Sequence, residues 1–470
     1  MQGVKRSMNR ISDGLIAEII RKSLISGGDY ADVYIEQERP LSIHLEDDKI
    51  EKLLSGIDCG LGVRVISGGK SYYAYSNDFS EESLFSIAGT VSRAVKEGQG
   101  SRLTYDLRKL RPGVEFKIKH NPEDISTREK ISLIERSNRA ARGVSPKIKQ
   151  VSIVYRDSVK NVCIASSDGT IAEDERIYTL AVIQVIAAEG GVLQTAYEPV
   201  GGLAGFELFE EEPFEEIALK ASRNAVALLS ARKAPGGRMP VIISAASGGT
   251  MIHEAVGHGL EADLVQQGLS VYSGKIGEQI ASPLVTIIDD ATLPNRRGSF
   301  RFDDEGINAQ RTVLVDKGVL KGYMYDRLTA MKEGVTSTGN GRRQSYKDRP
   351  IPRMSNTFIA AGEEDPEKII TSIDKGFFVR KMGGGQVNTV TGEFVFEVSE
   401  GYLIAKGQIG EPVRGATLIG NGPDILKSID MVGNDIGFAI GTCGKDAQGV
   451  PVSDAMPTVR IPEMVIGGEV

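Results

Sequence analysis

The segment that most restricts how this chain can fold is residues 253–258, which reads His-Glu-Ala-Val-Gly-His. Two of the chain's four histidines lie in it, five positions apart. On a regular α-helix five residues turn by about 500°, which leaves the two imidazoles roughly 140° apart around the axis. They can face one ion only if the helix widens, so the spacing predicts a single-turn π-bulge. Gly257 and Gly259 favour a distorted turn because glycine has no Cβ.

The flanking residues predict a strand, a turn and then a helix. Residues 241–243 are Val-Ile-Ile, which is typical of a short buried strand, and residues 247–250 are typical of a polar turn with N-cap residues. Two imidazoles flanking a carboxylate on one helix are what a hydrolytic zinc site needs. We therefore interpret the segment as a metal site. The alternative is a helix whose histidines are ordinary surface or core residues.

A third metal ligand has to come from elsewhere, since a catalytic zinc ion usually has three protein ligands and one open position. Glu261 and Asp263 are nearby candidates. Cys443 is a stronger one, because the glycines on either side of its Thr-Cys pair would let a thiolate approach a metal. Cys59 and Cys163 lie in apolar, strand-like runs, where a thiol usually serves as a small buried hydrophobe.

Residues 253–263 and 443–452 together resemble the TldD branch of the TldD/PmbA family, whose members are zinc metallopeptidases of the cytosol. The resemblance extends over the whole length and is specific in the C-terminal half. The PmbA (TldE) branch lacks the metal motif, so the motif indicates the active branch. Two positions depart from the family pattern, Ala447, where a glycine is usual, and Met456.

This resemblance implies that His253, His258 and Cys443 bind Zn²⁺ and that Glu254 is the catalytic carboxylate. The function it implies is zinc-dependent hydrolysis of peptide bonds in small or unfolded polypeptides, with Glu254 moving the proton of a metal-activated water. It also implies a dimer, either a homodimer or a heterodimer with a PmbA/TldE-like paralogue. The metal would then lie in a narrow channel formed with the partner.

A function without catalysis is the alternative. The chain could be a regulatory or assembly subunit with a structural metal site, as the older family label "modulator of DNA gyrase" implies. Glu254 argues against this, because a structural site has no use for a carboxylate beside a ligand. The donor that stabilises the oxyanion stays open. Residues 342–346, Arg-Arg-Gln-Ser-Tyr, are a candidate loop for it, and an exposed basic turn is the favoured interpretation of that loop.

Composition excludes several other classes of function. The 470 residues include 63 acidic and 56 basic ones, a net charge of -7, without the concentrated Lys/Arg stripe of a nucleic-acid-binding protein. The apolar runs are shorter than the roughly 18 to 20 residues of a membrane span. The N-terminus lacks the apolar core of a signal peptide. Three dispersed cysteines do not form a disulfide scaffold, so we expect a cytoplasmic protein.

The organisation of the chain predicts an α+β fold. Proline and paired glycines in residues 233–238 indicate a boundary between an N-terminal α+β domain, residues 1–235, and a mainly β C-terminal domain, residues 236–470, that carries the metal helix. In the N-terminal domain, residues 12–98 and 127–231 share an order of helix, antiparallel meander and helix. That shared order leaves open whether the unit is duplicated or two ordinary meanders look alike.

Individual elements can also be predicted. A helix is expected over residues 214–231, and Gly383–Gly385 are expected to form a turn. Strands of the C-terminal domain are expected at residues 284–288, 312–315, 394–398 and 402–406.

Overall fold

The computed structural model describes residues 11–95 and 107–468. Over these residues it is a mixed α+β structure, which confirms the predicted class. The helices are α1 (Asp13–Ser23), α2 (Glu81–Ala94), α3 (Thr127–Gly143), α4 (Leu208–Glu211), α5 (Phe214–Ser230), α6 (Thr250–Ile252), α7 (Ala262–Gln266), α8 (Arg327–Glu333), α9 (Pro366–Thr371) and α10 (Gly422–Ser428). Among these, no helix has the length and apolar character needed to cross a bilayer.

Long antiparallel strands dominate the N-terminal half. The strands of this half are β1 (Tyr30–Glu46), β2 (Lys49–Ser55), β3 (Asp58–Ser67), β4 (Lys70–Ser76), β5 (Arg108–Lys109), which is short and parallel to its neighbour, β6 (Ile148–Ser166), β7 (Thr170–Glu189) and β8 (Val192–Gly202). Within the described ranges they form one sheet in the order β4-β3-β1-β6-β7-β5, with β2 paired to β1 and β8 to β7. The pairing of β1 with β6 joins the first meander to the second.

Helices cover one face of this sheet in two pairs. Helices α1 and α2 pack on β1 and β3, and α3 and α5 pack on β6 and β7, each pair over its own apolar cluster. Ser12, Ser80 and Ser126 begin α1, α2 and α3, and each side chain accepts a hydrogen bond from a backbone N–H of the first turn. The predicted order of helix, meander and helix is therefore present twice, while duplication itself stays a prediction. The predicted helix at 214–231 is confirmed as α5.

The C-terminal half consists of shorter strands in two main sheets. The strands are β9 (Arg232–Lys233), β10 (Gly237–Ile243), β11 (Ile287–Asp290), β12 (Arg311–Asp316), β13 (Val319–Leu320), β14 (Gly341–Arg342), β15 (Ile351–Pro352), β16 (Asn356–Ile359), β17 (Lys375–Val387), β18 (Glu393–Ala405), β19 (Gln408–Arg414), β20 (Thr417–Asn421), β21 (Met431–Val432), β22 (Gly437–Lys445), β23 (Gln448–Met456) and β24 (Val459–Gly467).

One of these sheets closes on itself. Strands β17, β10, β24, β20 and β18 follow one another, and β17 also pairs with β18, which completes a ring. The other sheet has the order β13-β12-β11-β16-β23-β22. Helix α6 and the turn after it lie between the two, because Ile252 and Val256 share one apolar cluster with Phe377 of the ring and Val452 of the second sheet. Both sheets therefore support the segment that carries the histidines.

Some predicted C-terminal elements are wrong in extent. The strand expected at 284–288 is β11, Ile287–Asp290, whereas that at 312–315 lies within β12. The strands expected at 394–398 and 402–406 are one continuous strand, β18. The predicted turn at Gly383–Gly385 is part of β17, where the register with β18 shifts, so these glycines make bulges in a strand. The division into residues 1–235 and 236–470 stays a prediction, and β9 pairs with the C-terminal strand β19.

Candidate metal centre

The segment with the two histidines contains the predicted widened turn. Residues His253–Gly257 form a π-helical turn between α6 and a 3₁₀ turn at His258–Leu260. The backbone N–H of His258 donates to the carbonyl of His253, an i→i+5 hydrogen bond. The extra residue brings both imidazoles to one side, with ring centroids 5.0 Å apart and ring planes at 89°.

The glycines of this segment serve close packing rather than an unusual backbone conformation. Gly257 has φ -54° and ψ -56°, ordinary helical values. A Cβ at Gly257 would lie 2.0 Å from the Met354 sulfur, and one at Gly259 would lie 2.8 Å from the Tyr272 ring. The missing Cβ of these glycines therefore matters where the helix touches its neighbours, while their part in easing the distorted turn stays a prediction. The Tyr272 hydroxyl also donates to the carbonyl of Ala255 at 3.1 Å, inside the π turn.

The N-terminus of α6 is stabilised by backbone contacts with a neighbouring strand and not by a capping side chain of its own. Gly248 has φ +68°, which favours glycine, and Gly249 is the N-cap of α6 without a side-chain hydrogen bond. The predicted side-chain N-cap in residues 247–250 is therefore wrong. The N–H of Gly249 instead donates to Asp454 of β23 at 2.9 Å. A Cβ on Gly249 would lie 2.3 Å from the backbone nitrogen of Ala455, so the helix begins directly against β23.

Cys443 lies near the end of β22 and reaches the histidines across 185 residues of sequence. Its Sγ is 3.5 Å from Nε2 of His258. One donor atom each from His253, His258 and Cys443 lies within 4.8 Å of the others. Donors 2.0–2.3 Å from a tetrahedral zinc ion are roughly 3.3–3.8 Å apart, so this set fits such an ion after small side-chain movements. Within the described part of the chain, these three residues form the group of His, Cys, Asp or Glu side chains that are close enough together to share a metal ion.

Glu261 and Asp263, the other candidates for a third ligand, lie outside this set and support it. Glu261 accepts a hydrogen bond from Nδ1 of His258 at 3.0 Å, which leaves Nε2 facing the cysteine. The ammonium of Lys445 lies 3.0 Å from Glu261 and 2.6 Å from Asp263. Because Lys445 is two residues after Cys443, this buried ion pair also joins the cysteine strand to the histidine helix. A carboxylate that orients a ligating imidazole is a frequent feature of zinc sites.

Asp454 of β23 is a functional candidate that the sequence did not reveal. Its Oδ2 lies 3.8 Å from Nδ1 of His253, beyond hydrogen-bond distance, and that nitrogen has no hydrogen-bond partner among the described residues. Burial raises the pKa of Asp454 to about 6. No spacing signal marks this residue, because it lies on a strand 201 positions after the histidine and is brought there by the sheet.

The charges of the three donors depend on one another. Burial alone would raise the pKa of the Cys443 thiol, but the neighbouring imidazoles of His253 and His258 outweigh it and lower that pKa to about 5. Burial likewise opposes protonation of His258, and the charge of Glu261 raises its pKa well above the usual value. For Glu261, burial is outweighed by Lys445 and His258, and its pKa falls to about 2. Cys443 is therefore held as a thiolate, the form that binds metals.

Glu254 lies on the π turn between the two histidines and is half-buried. Over residues 11–95 and 107–468 its carboxylate makes no hydrogen bond and no ion pair. It is close enough to Asp454 to raise that group's pKa. A carboxylate that is next to a donor cluster and has no protein partner is available to bind a water molecule or a substrate proton.

The remaining predicted residues have mixed outcomes. Cys163 is buried as predicted, whereas Cys59 is partly exposed. The interpretation of residues 342–346 as an exposed basic turn is wrong, because Arg342 and Arg343 are only 3% and 4% exposed. They lie where the two halves meet, and Arg343 donates to the carbonyl of Asp304 at 2.8 Å. Ala447, in the turn after Cys443, has φ +59°, which explains why a glycine suits that position.

Sequence profiles of the PmbA/TldA metallopeptidase family match most of the chain. Domain 1 matches residues 31–97, the central domain residues 120–229 and the C-terminal domain residues 236–468. The chain is 40% identical to a metalloprotease TldD homolog of Haemophilus influenzae, over 94% of this chain and 93% of that protein. It is 26% identical to a zinc metalloprotease TldD homolog of Saccharolobus solfataricus, over 96% of this chain and 99% of that protein.

Solved structures share the fold. A Thermotoga maritima protein whose name refers to modulation of DNA gyrase superposes with a TM-score of 0.78 at 23% identity, over 93% of this chain and 96% of that one. TldE from Thermococcus kodakarensis superposes with a TM-score of 0.75 at 19% identity, over 97% of this chain and 100% of that one.

Proposed function

Because the chain belongs to the PmbA/TldD family of metallopeptidases, we propose that it is a zinc-dependent peptidase that cleaves small or unfolded polypeptides. In this proposal His253, His258 and Cys443 are the zinc ligands and Glu254 is the general base. One observation carries the proposal. Three metal-binding side chains have donor atoms within 4.8 Å of one another, and the carboxylate between the two histidines has no hydrogen-bond or ion-pair partner among the residues that the structure describes.

The choice of zinc rests on the chemistry of the donors. Two imidazoles and one thiolate are ligands that Zn²⁺ accepts, and three protein ligands leave a fourth position open. The name of the relative from Saccharolobus solfataricus, a zinc metalloprotease, supports zinc.

Each residue of the site has a role in peptide hydrolysis. The zinc ion that these three side chains would hold would supply Lewis acidity, which polarises a scissile carbonyl and lowers the pKa of water. Glu254 takes the proton of the attacking water and passes it to the leaving amine, which needs a carboxylate with no competing ion pair. Glu261 fixes the ring of His258, and Lys445 holds Glu261 in place. The thiolate form of Cys443 already carries the charge that a metal ligand needs.

Replacement of Glu254 by glutamine tests the proposal. Glutamine has nearly the same size and cannot accept the proton, so we expect peptide hydrolysis to fall by at least about 100-fold, the contribution that general bases typically make. Zinc content, measured by atomic absorption, is expected to stay near one per chain. Glu367→Gln, an exposed glutamate of α9, is the matched control and should keep full activity.

The same experiment distinguishes the catalytic function from the regulatory one. If wild-type protein loaded with zinc does not cleave unstructured peptides, or if Glu254→Gln cleaves them equally fast, the peptidase proposal is wrong. The remaining hypothesis is then a non-catalytic subunit with a structural metal site. Anomalous scattering at the zinc edge tests the ligands separately, because it locates the ion among His253, His258 and Cys443.

We also propose that the chain works as a dimer, either with a second copy of itself or with a TldE-like paralogue. The fold shared with TldE from Thermococcus kodakarensis supports a related partner of similar shape. A partner that covers the metal centre would admit only extended chains, which explains a preference for unfolded substrates. The native mass in solution, measured by light scattering with and without the paralogue, tests this. A monomer under both conditions contradicts the proposal.

A further inference from the structure

A cavity of about 510 Å³ lies where the two halves of the chain meet. One wall consists of the N-terminal sheet, with residues of β1, β2, β6 and β7. The opposite wall consists of Arg297, Arg342–Gln344 and the strand β23, from which Gly449 and Pro451 contribute. Pockets for small organic molecules usually enclose about 300–1,000 Å³, so this cavity has a suitable size.

The lining of the cavity is strongly positive, although the whole chain has a net charge of -7. Seven lysines and arginines line it against three carboxylates, an excess of four positive charges. All three carboxylates already have protein partners. Glu38 pairs with Lys160 at 3.4 Å, Asp157 with Lys130 at 2.6 Å, and Asp304 with Arg176 at 2.7 Å.

Four of the lining cations have no carboxylate partner among the described residues. They are Lys52, Arg156, Arg297 and Arg342. These cations are close enough to repel one another and nearby groups. Burial lowers the pKa of His44, and Arg156 and Lys52 lower it further. Burial also lowers the pKa of Arg297, where the charges of Arg156 and Arg342 act in the same direction.

The two arginines on the C-terminal side are fixed by backbone oxygens. Arg342 donates to the carbonyls of Met354 and Pro451 at 2.6 and 2.7 Å. Arg297 donates from Nε to the carbonyl of Gly441 at 3.3 Å, and over the described residues its two terminal amino groups have no hydrogen-bond partner. Arg297 is half-buried, and a guanidinium that is partly removed from water without a counter-ion is stabilised when an anion binds to it. Arg297 therefore presents a preformed fork for an oxyanion.

Apolar side chains line the rest of the cavity. Leu41, Leu54, Leu180 and Tyr178 are among them. The Tyr178 ring centroid lies 5.9 Å from the guanidinium carbon of Arg297, so the apolar wall adjoins the positive one. A ligand that matches this lining has an anionic group at one end and an apolar or planar body at the other.

We propose that this cavity binds a small phosphate-bearing organic molecule of nucleotide size. The charge favours phosphate over a carboxylate, because a phosphate monoester carries about -1.5 to -2 at pH 7 and offers three acceptor oxygens, whereas a carboxylate carries one charge. Arg156 and Arg297 contact the phosphate, and the body lies against Tyr178 and the leucines.

The cavity is separate from the metal centre. Pro451 pairs with Thr442 and Val450 pairs with Cys443 in the regular ladder between β22 and β23. Because side chains alternate between the faces of a strand, Pro451 and Cys443 point to opposite sides of this hairpin. A ligand in the cavity would therefore occupy the other face of the hairpin from the thiolate, and it is no part of the proposed peptidase site.

Calorimetric titration of the full chain with ADP, inorganic pyrophosphate and adenosine tests the proposal. We expect ADP and pyrophosphate to bind and adenosine, which lacks phosphate, not to bind. Arg156→Gln and Arg297→Gln are each expected to weaken ADP binding at least tenfold. Arg296→Gln is the matched control, because Arg296 neighbours Arg297 and stacks on Phe438 outside the cavity, so ADP should bind to it as to wild type.

Thermal unfolding of each variant in the absence of ligand shows that it is folded. Arg156 is exposed, so Arg156→Gln keeps the test valid even if the more buried Arg297 variant does not fold. The proposal is overturned if neither ADP nor pyrophosphate binds at about 1 mM, a concentration that detects binding free energies as weak as roughly -4 kcal/mol. It is also overturned if adenosine binds as well as ADP, or if ADP binds equally to wild type and Arg156→Gln.

Discussion

Two regions of the C-terminal half shift the pKa of a buried carboxylate in opposite directions. Beside the metal centre, Glu261 is fully buried, and Lys445 and His258 lower its pKa to about 2 despite that burial. Where the two halves of the chain meet, Asp326 is just as buried, and burial together with the charge of Glu305 raises its pKa to about 7. Burial is the same in both regions, so the neighbouring charges decide the direction of each shift.

The second region, which we call the seam, contains the neighbouring acids Asp303, Glu305 and Asp326 together with Arg64. Arg64 lies 2.7 Å from Glu305 and also pairs with Asp32, so one guanidinium serves both halves of the chain. Burial and the charge of Glu305 raise the pKa of Asp303 well above its usual value. The charges of the seam therefore favour the protonated form of its acids, whereas the charges beside the metal centre favour the ionised form of Glu261.

The largest expected effect is the removal of the metal. If zinc binds the folded chain, then at a free concentration of 1,000 times its dissociation constant it stabilises the fold by about 4 kcal/mol. We expect chelation to remove that stabilisation from the wild type, measured as the free energy of unfolding in urea. Cys443→Ser is the comparison, because a variant that has lost a ligand should be much less sensitive to the chelator. Equal stability of the wild type with and without zinc would contradict the proposed site.

Glu261→Gln tests the charged carboxylate of the metal region. It leaves Lys445 with Asp263 as its remaining carboxylate partner, so we expect a loss of about 3 kcal/mol in the free energy of unfolding. The affinity for zinc should fall about 10- to 100-fold, because His258 loses the acceptor that orients it. Competition with a chromogenic chelator measures this. Asp454→Asn should weaken zinc binding less, since Asp454 makes no hydrogen bond to His253, and an equal loss in both variants would remove the distinction.

Asp326→Asn tests the seam, where removal of a carboxylate is expected to raise the free energy of unfolding rather than lower it. The folded pKa of about 7 exceeds the ordinary value of 3.8, so ionisation of Asp326 costs the folded state more as pH rises from about 4 to about 7. Asparagine keeps the N-cap of α8 and cannot ionise. We expect the variant to be more stable than wild type at pH 8, by at most about 4 kcal/mol, and this gain to vanish near pH 4.

Urea unfolding at both pH values measures this gain. Asp316→Asn, at a half-exposed carboxylate, is the control for the substitution itself. If Asp326→Asn is less stable than wild type at pH 8, ionisation of Asp326 does not destabilise the folded state.

The smallest expected effect concerns the hairpin that carries Cys443. Ala447 has φ +59° in the turn between β22 and β23, which costs an alanine about 1–2 kcal/mol. Glycine avoids that strain but loses about 0.5–1 kcal/mol through the greater freedom of the unfolded chain. We expect Ala447→Gly to stabilise the fold by about 0.5 kcal/mol with unchanged zinc affinity, measured by thermal unfolding and chelator competition. A change in affinity would show that the turn positions the thiolate.

The sequence could predict the features that depend on local spacing. The interval between His253 and His258 allowed one helix geometry that brings both rings together, and that geometry is present. The pattern of apolar residues in α5 and β12, together with the residues that flank them, is an equally local signal and predicts both elements. The α+β class followed from the order of such elements.

The sequence could not predict features that arise where distant segments meet. Asp454 faces His253 because β23 packs against the start of the helix, and no nearby motif marks it. Arg342 and Arg343 look exposed in sequence because they are charged, and they are buried because two halves of the chain close over them. Glu261 was a candidate third ligand in sequence and lies beside His258, but the partner that defines its role, Lys445, comes from another strand.

The three helical geometries that follow one another across residues 250–260 have a consequence for protein engineering. The wide turn depends on its surroundings, since Met354 and Tyr272 occupy the space that any side chain at Gly257 or Gly259 would need. If the six-residue motif alone were grafted onto a uniform helix of another scaffold, the imidazoles would point in different directions. A transplant would have to bring the packing partners with it.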